Sequence, residues 1–145
     1  MKKIVAVTII LFYGASAVAQ EEHGSEVPQS VIESFSCLYP SITNVSWKVD
    51  DVNYAASFRL DGKAVSLVFD EYSNVIKVEH EIKLYELPLD VSHLISKEYS
   101  DWRIGKASHI DSNGTAYYEA QVQKDEQTMV LVFNRHGGLL IKVML

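Results

Sequence analysis

Two segments of the chain carry apolar side chains at every fourth position, and each segment follows an apolar residue and a proline. The positions are Val31, Phe35 and Tyr39 after Val27-Pro28, and Val91, Ile95 and Tyr99 after Leu87-Pro88. This spacing aligns the side chains on one face of a helix. Proline costs no hydrogen bond at a helix start, because the first N–H groups have no partner there. We therefore predict two amphipathic helices of about twelve residues each.

After each predicted helix the apolar period changes from 3.6 to 2, which is typical of strands. The two alternating series, 64 residues apart, are Tyr54, Ala56, Phe58, Val65, Leu67 and Phe69, then Tyr118, Ala120, Val122, Met129, Leu131 and Phe133. Residue pairs that favour tight turns separate the strands, namely Asp61-Gly62, Ser73-Asn74, Asn113-Gly114 and Gly137-Gly138. The pattern predicts one helix followed by about four antiparallel strands, written twice.

The two predicted repeats span residues 27–84 and 87–145. A unit of roughly 60 residues buries only about 60% of its unfolded surface and is marginal alone. Joining the two units edge to edge also removes two exposed strand edges. We expect a single α+β domain over residues 27–145, with a continuous antiparallel sheet and both helices on one of its faces.

The beginning of the chain has the pattern of a secretory signal peptide. Lys2 and Lys3 precede an apolar run over residues 4–13, and small side chains follow at Ala17 and Ala19. The run has half the roughly 20 residues that a membrane span needs. We predict a signal peptide over residues 1–19, cleavage between Ala19 and Gln20, and a flexible N-terminus over residues 20–26. The mature chain would then be periplasmic or extracellular, without a membrane span.

Charge and cysteine content exclude other classes of protein. The chain has 13 Lys and Arg against 19 Asp and Glu, a formal charge of −6, which argues against nucleic-acid binding. Its one cysteine, Cys37, cannot form an internal disulfide. We expect Cys37 to be a half-buried apolar residue of the first helix, and the sequence leaves open an intermolecular pairing.

Several local segments together resemble the bacterial secreted PepSY-like family, which is described as having a fold like the β-lactamase-inhibitor protein. They are the signal peptide, Val27-Pro28, Tyr39-Pro40, Val45-Ser46-Trp47, the segment from Tyr54 to Phe58, Phe69-Asp70, Leu87-Pro88, Tyr117-Tyr118-Glu119 and Phe133-Asn134. The resemblance implies a concave sheet with helices on its other face, and binding or inhibition of proteins such as peptidases. No contact motif of the inhibitor is matched, and its disulfides are absent, so no functional residue is carried over.

No motif in the sequence predicts a catalytic, cofactor-binding or metal-binding residue. The segment His80-Glu81-Ile82-Lys83-Leu84 lacks the second histidine of a zinc-peptidase box, and its period of 2 places His80 and Glu81 on opposite faces of a strand. His109 and Asp111 could pair on one strand face. Serine-elbow, catalytic-cysteine and glycine-rich phosphate motifs do not occur. We expect no cofactor and no enzymatic activity.

The sheet face turned away from the helices is the predicted partner-binding surface. Its candidate residues are Arg59, Lys77, Glu79, Tyr117, Glu119 and Gln121. Polar side chains with a few aromatic and aliphatic neighbours are common in protein interfaces, although an ordinary half-solvated sheet has the same pattern. We predict a non-enzymatic module that binds an unknown protein or peptide of the cell envelope. The alternatives are a periplasmic carrier of a small apolar ligand and a hydrolase of unknown type, and the oligomeric state stays open.

Overall fold

The computed structural model describes residues 27–145, so the predicted signal peptide and the segment 20–26 lie outside the described residues. The elements in chain order are α1 (Gln29–Leu38), β1 (Ser46–Asp50), β2 (Asn53–Leu60), β3 (Lys63–Phe69), β4 (Val75–Ile82), a 3₁₀ turn (Leu84–Glu86), α2 (Leu89–Glu98), β5 (Arg103–Ser112), β6 (Thr115–Lys124), β7 (Gln127–Asn134) and β8 (Leu139–Met144). The predicted combination of two helices with antiparallel strands is confirmed.

The eight strands of residues 27–145 form one open antiparallel sheet in which the spatial order is the chain order, β1 to β8. Six of the seven pairings join strands that follow each other through a short turn. The seventh pairs β4 with β5, where Ile82 lies opposite Ala107 and Lys77 opposite Ser112. Because the 3₁₀ turn and α2 separate these two strands in sequence, their pairing connects the first half of the sheet to the second.

Both helices begin after proline and end at tyrosine. Pro28 and Pro88 are extended, with ψ of 142° and 144°, and precede the first helical residue rather than occupying it. Each helix has ten residues instead of the predicted twelve or so, because Tyr39 and Tyr99 leave the helical conformation with ψ of 66° and 37°. Their backbone N–H groups donate to the carbonyls of Phe35 and Ile95, which satisfies two orphan carbonyls of the last turn.

The described residues form two buried apolar clusters, one around each helix. Val31 and Phe35 of α1 pack with Ala56, Phe58, Val65, Leu67 and Phe69. Val91 and Ile95 of α2 pack with Ile82, Leu87, Ala107, Ala120, Val122, Met129, Leu131 and Phe133. Trp47 and Trp102 pack against the first and second cluster respectively.

The strand register defines two faces of the sheet. Residues directly opposite each other share a face, and these pairs include Ala56 with Leu67, His80 with His109 and Ala120 with Leu131. We call the face that carries the two clusters the core face. The groove face is the opposite one, and it carries Ser57, Ser66, Glu79 and the residues paired with them.

The prediction for Cys37 is wrong, since its thiol is free and exposed. Phe35 points into the cluster, and Cys37 follows it by two residues, which is about 200° around a helix. The side chain of Cys37 therefore projects away from the sheet.

Polar residues at matching places shape two of the turns. After β3, the Asp70 carboxylate accepts hydrogen bonds from the backbone N–H groups of Tyr72 and Asn74. After β7, the Asn134 side-chain carbonyl accepts from the N–H groups of His136 and Gly138. These bonds within the turns satisfy backbone donors that have no ladder partner.

Candidate functional site

A groove of about 590 Å³ crosses the groove face from β2 to β7. It is lined by Ser57, Arg59, Gly62, Ala64, Val65, Ser66, Glu79, Glu81, Lys106, Ala107, Ser108, Glu119, Gln121, Gln123, Val130 and Leu145. Both halves of the chain contribute to this lining. The groove thus depends on the pairing of β4 with β5, which brings the halves together.

Four of the six predicted partner-binding residues line the groove, namely Arg59, Glu79, Glu119 and Gln121. The other two lie on the same face outside it. The Lys77 ammonium is 3.2 Å from a carboxylate oxygen of Glu79, and Tyr117 lies opposite Ile110. Whether any of these six residues contacts a partner stays a prediction.

One row of residues across the strands forms the centre of the groove. The Glu81 carboxylate on β4 accepts a hydrogen bond of 3.3 Å from the backbone N–H of Ala64 on β3. Ser108 lies opposite both Glu81 and Glu119. A small hydroxyl side chain therefore separates two carboxylate-bearing positions.

Glu119 has the most perturbed environment in the groove. Burial raises the pKa of its carboxyl to about 7, nearby Glu79 contributes in the same direction, and Lys77 opposes them. Among residues 27–145, Glu119 has no hydrogen-bond or ion-pair partner. Its carboxyl thus changes between neutral and charged near neutral pH, unlike an ordinary surface glutamate.

The other polar groups on the groove face differ in whether they have hydrogen-bond or ion-pair partners. Lys77 and Glu79 form an ion pair in which both side chains are largely buried. The Ser57 hydroxyl is buried, and in the described part of the chain it has no hydrogen-bond partner. At the edge of the groove, the Arg59 guanidinium donates to the Gly62 carbonyl at 2.7 Å. This guanidinium is therefore engaged within its own turn.

The core face carries a ring cluster that the sequence did not predict. The His80 and His109 rings lie 5.0 Å apart between their centroids, and Tyr118 meets His109 edge to face at 5.1 Å. Burial lowers the pKa of His80, and the neighbouring His109 lowers it further. His109 and Asp111 lie on the same face of β5, as their spacing suggested, and the Asp111 carboxylate accepts a hydrogen bond of 3.0 Å from the Gly114 N–H.

Across residues 27–145, no three or more His, Cys, Asp or Glu side chains are arranged to hold a metal ion. Within the same range, no helix has the length and apolar character needed to cross a bilayer.

Sequence reasoning missed Lys106, Ser108 and the carboxyl-terminal Leu145 as groove residues. The alternation along β5 and β6 indicates which residues share a face, but it does not give the register between strands that a helix separates. The pairing of β4 with β5 places Glu81 opposite Ser108, and the pairing of β5 with β6 places Glu119 opposite its other side.

The architecture is that of the BLIP-like fold, after the β-lactamase-inhibitor protein. A protein described as "putative periplasmic" from Bacteroides eggerthii is 20% identical, with a TM-score of 0.75 over 83% of this chain and 90% of its own. A DUF2874 family protein from Bacteroides ovatus is 21% identical, with a TM-score of 0.71 over 83% and 89%. A BLIP-like protein from Bacteroides fragilis is 22% identical, with a TM-score of 0.67 over 85% and 89%.

These similarities define the fold. They confirm the prediction that the chain folds like the β-lactamase-inhibitor protein. No protein-family model matches the sequence. No curated protein matches it either.

Proposed function

We propose that the protein is an exported, non-enzymatic binding module that holds a protein or peptide in the groove. The observation that carries this proposal is the groove itself, which is concave, spans β2 to β7 and mixes charged, polar and apolar side chains. Interfaces between proteins combine these side-chain types. Rigid antiparallel strands would present them without reordering on binding.

The proposed domain organisation places the helices on the sheet face opposite the groove. We propose a single domain over residues 27–145 made of the repeats 27–84 and 87–145, with both helices on one sheet face. The contacts of α1 and α2 with core-face residues support this organisation. The matching turns at Asp70 and Asn134 support the repeat. The opposite face would then be available to a partner.

Export is the second part of the proposal, with cleavage between Ala19 and Gln20. The amino-terminal pattern of charged, apolar and small residues supports it, as does the description of the Bacteroides eggerthii neighbour. The BLIP-like neighbour from Bacteroides fragilis makes protein binding a consistent role for this fold. Membership of the PepSY-like family belongs to the same proposal and rests on the sequence segments that resemble it.

Recovery of a partner from the cell envelope tests the groove. We expect the tagged protein to retain a partner that Arg59→Ala/Gln121→Ala loses at least fivefold. The matched control is Lys97→Ala/Glu98→Ala, which lies in the last turn of α2, is exposed and should retain the partner. Circular dichroism establishes that both double variants are folded. Equal recovery by the groove variant and the wild type would contradict the proposal.

A hydrolase is the second candidate, and one observation favours it. General acid catalysis near neutral pH needs a carboxyl with a raised pKa, and Glu119 has that property beside Glu79. Turnover of a peptide or glycan by the wild type, with its loss in Glu119→Gln, would replace the binding proposal. The charged lining of the groove disfavours the third candidate, a carrier of small apolar ligands.

A further inference from the structure

We infer that His80 and His109 bind a divalent transition-metal ion of the copper, nickel and zinc class on the core face of the sheet. One nitrogen of each imidazole would coordinate the ion, and water would take its remaining positions. The pair lies on the face opposite the groove, so the inference goes beyond the proposed function and does not depend on it.

The strand register places the two histidines opposite each other. His80 on β4 pairs directly with His109 on β5, and the Cβ atoms of such a pair are about 5 Å apart. Each of the two strands also pairs on its other side, β4 with β3 and β5 with β6. Because the sheet holds both backbones in place, binding of an ion needs only an adjustment of the side chains.

The distance between the two rings fits coordination of one ion. Their centroids are 5.0 Å apart, and their planes are inclined by 40°. A zinc ion about 2.1 Å from a ring nitrogen is roughly 3.2 Å from the ring centre, so two rings at an angle of about 90–110° have centres about 4.5–5.2 Å apart. The χ2 torsion of histidine is broad, so rotation of the rings can direct both nitrogens to a shared ion.

The ring nitrogens have no competing partner in the part of the chain that the structure describes. Within residues 27–145, neither imidazole makes a hydrogen bond or an ion pair, and their contacts are those between the His80, His109 and Tyr118 rings. Both histidines are half-buried, so an ion can reach them from solvent. The neutral imidazole is the form that binds a metal, and the lowered pKa of His80 favours that form.

The two histidines interrupt a row of apolar and aromatic residues that crosses six strands. Val65 lies opposite His80, and Tyr118 lies opposite His109. Phe58 and Phe133 continue the row on β2 and β7. Apolar neighbours limit the access of water to a bound ion, and the Tyr118 ring, edge to face with His109, restricts the orientation of that imidazole.

The charged groups near the pair favour a cation. Lys63 lowers the pKa of His80 by its charge, but its ammonium is 3.6 Å from a carboxylate oxygen of Glu86, which offsets that charge. Asp111 lies on the same face as His109, two residues further along β5. These neighbours therefore include two carboxylates and one ammonium, and a positive ion is attracted to them on balance.

The donor set determines the class of ion. Imidazole nitrogen suits copper, nickel and zinc, whereas Mg²⁺ and Ca²⁺ prefer oxygen ligands. Zn²⁺ is the convenient probe because it has no redox chemistry.

Titration of the untagged mature chain with Zn²⁺ at pH 7.5 tests the inference. We expect one saturable site by calorimetry, and long-range ¹H–¹⁵N NMR should show the imidazole nitrogens of His80 and His109 shifting together. His80→Phe and His109→Phe keep a ring in the row without its nitrogens, and each should weaken binding at least tenfold. His93→Phe, at an exposed position of α2, is the matched control and should bind with unchanged affinity.

The absence of saturable Zn²⁺ binding, or unchanged affinity in either strand variant, would overturn the inference. Shifts confined to His93, His136 or His23 would overturn it as well. His23 lies outside the described residues, so His23→Gln is a second control and should retain the site. Mg²⁺ should shift neither ring, and an equal response to Mg²⁺ would contradict coordination by imidazole.

Circular dichroism establishes whether the strand variants are folded. If either variant does not fold, the imidazole shifts of the wild type decide: joint shifts of His80 and His109 support the site, and shifts of one ring alone contradict it. Both strand variants should retain the envelope partner that Arg59→Ala/Gln121→Ala loses, because the groove is on the other face. A failure of zinc binding with that partner still retained would therefore remove this inference and leave the proposed function standing.

Discussion

At the scale of single residues, Glu119 links the groove to the stability of the fold. A glutamate that folds into a desolvated place is harder to ionise than in the unfolded chain, where its pKa is the ordinary 4.5. In the folded protein the pKa is about 7. Between these two values the folded state binds more protons than the unfolded state, so the contribution of Glu119 to stability falls as the pH rises.

We predict that Glu119→Gln stabilises the protein at alkaline pH. The neutral amide avoids the burial of a charge, so the gain should be near zero at pH 4.5 and reach about 1–3 kcal/mol at pH 8. Urea unfolding of both proteins across this range measures the gain.

Glu98→Gln is the matched control: the Glu98 side chain is exposed, so this substitution should change the free energy of unfolding only slightly. The contribution of His80 has the opposite sign, because its lowered pKa makes the folded state lose stability as the pH falls below 6.5. It is common to all three proteins and cancels in the comparison. A constant difference between wild type and Glu119→Gln would show that Glu119 ionises normally.

At the scale of elements, the turn between β7 and β8 lies against the start of α2. Gly137 has φ of +82°, and a Cβ atom placed there would lie 2.5 Å from the Asp90 Cβ and 3.2 Å from the Asp90 carbonyl carbon. Gly114, in the turn between β5 and β6, has φ of +77° and nothing within 4 Å of that position. The two glycines share a backbone conformation and differ in their surroundings.

Alanine substitutions at these two glycines separate the free-energy cost of backbone strain from the cost of steric contact. Gly114→Ala should cost about 1 kcal/mol, which is the penalty of a left-handed conformation for an L-residue. We predict that Gly137→Ala costs at least about 2 kcal/mol more, because the backbone of α2 must shift to admit the methyl group. Thermal unfolding monitored by circular dichroism measures both losses. Equal losses would mean that the turn and the helix separate without cost.

The elements show which parts of this fold a sequence can predict. The spacing of apolar residues predicted both helices and most strands. Burial on one face imposes a period of 3.6 residues on a helix and of 2 on a strand. The turns at Asp51 and Asp125, which have φ of 55° and 53°, were missed. Neither aspartate precedes a glycine, so the usual turn pair is absent.

The site was less predictable than the fold. Alternation put Arg59, Glu79, Glu119 and Gln121 on one face, and all four line the groove. The position of Ser108 opposite Glu81 and the contact of His80 with His109 depend on the pairing of β4 with β5. No local pattern encodes that register, because a helix lies between the two strands.

At the scale of the whole molecule, we expect the two halves to unfold together. Each half contains one tryptophan: Trp47 packs against the first cluster, and Trp102 against the second. Trp102→Phe and Trp47→Phe therefore each leave a fluorescent reporter in one half. If residues 27–145 form a single domain, the remaining tryptophan should report a transition that coincides with the loss of sheet signal in far-ultraviolet circular dichroism.

Both measurements are made on the same variant, so any destabilisation by the substitution affects them equally. Coincident transitions in both variants would support one cooperative domain. A fluorescence midpoint that departs from the circular dichroism midpoint by more than about 0.5 M urea would divide the chain into two folding units.

The meander order of the sheet also has a consequence for folding kinetics. Six strand pairings need only a short turn to close, so their contacts have low contact order and form fast. The pairing of Ile82 with Ala107 must wait for the chain between them and carries a larger loop-closure entropy. The groove, which extends across this pairing, is therefore expected to be completed late in folding, after the hairpins on either side have formed.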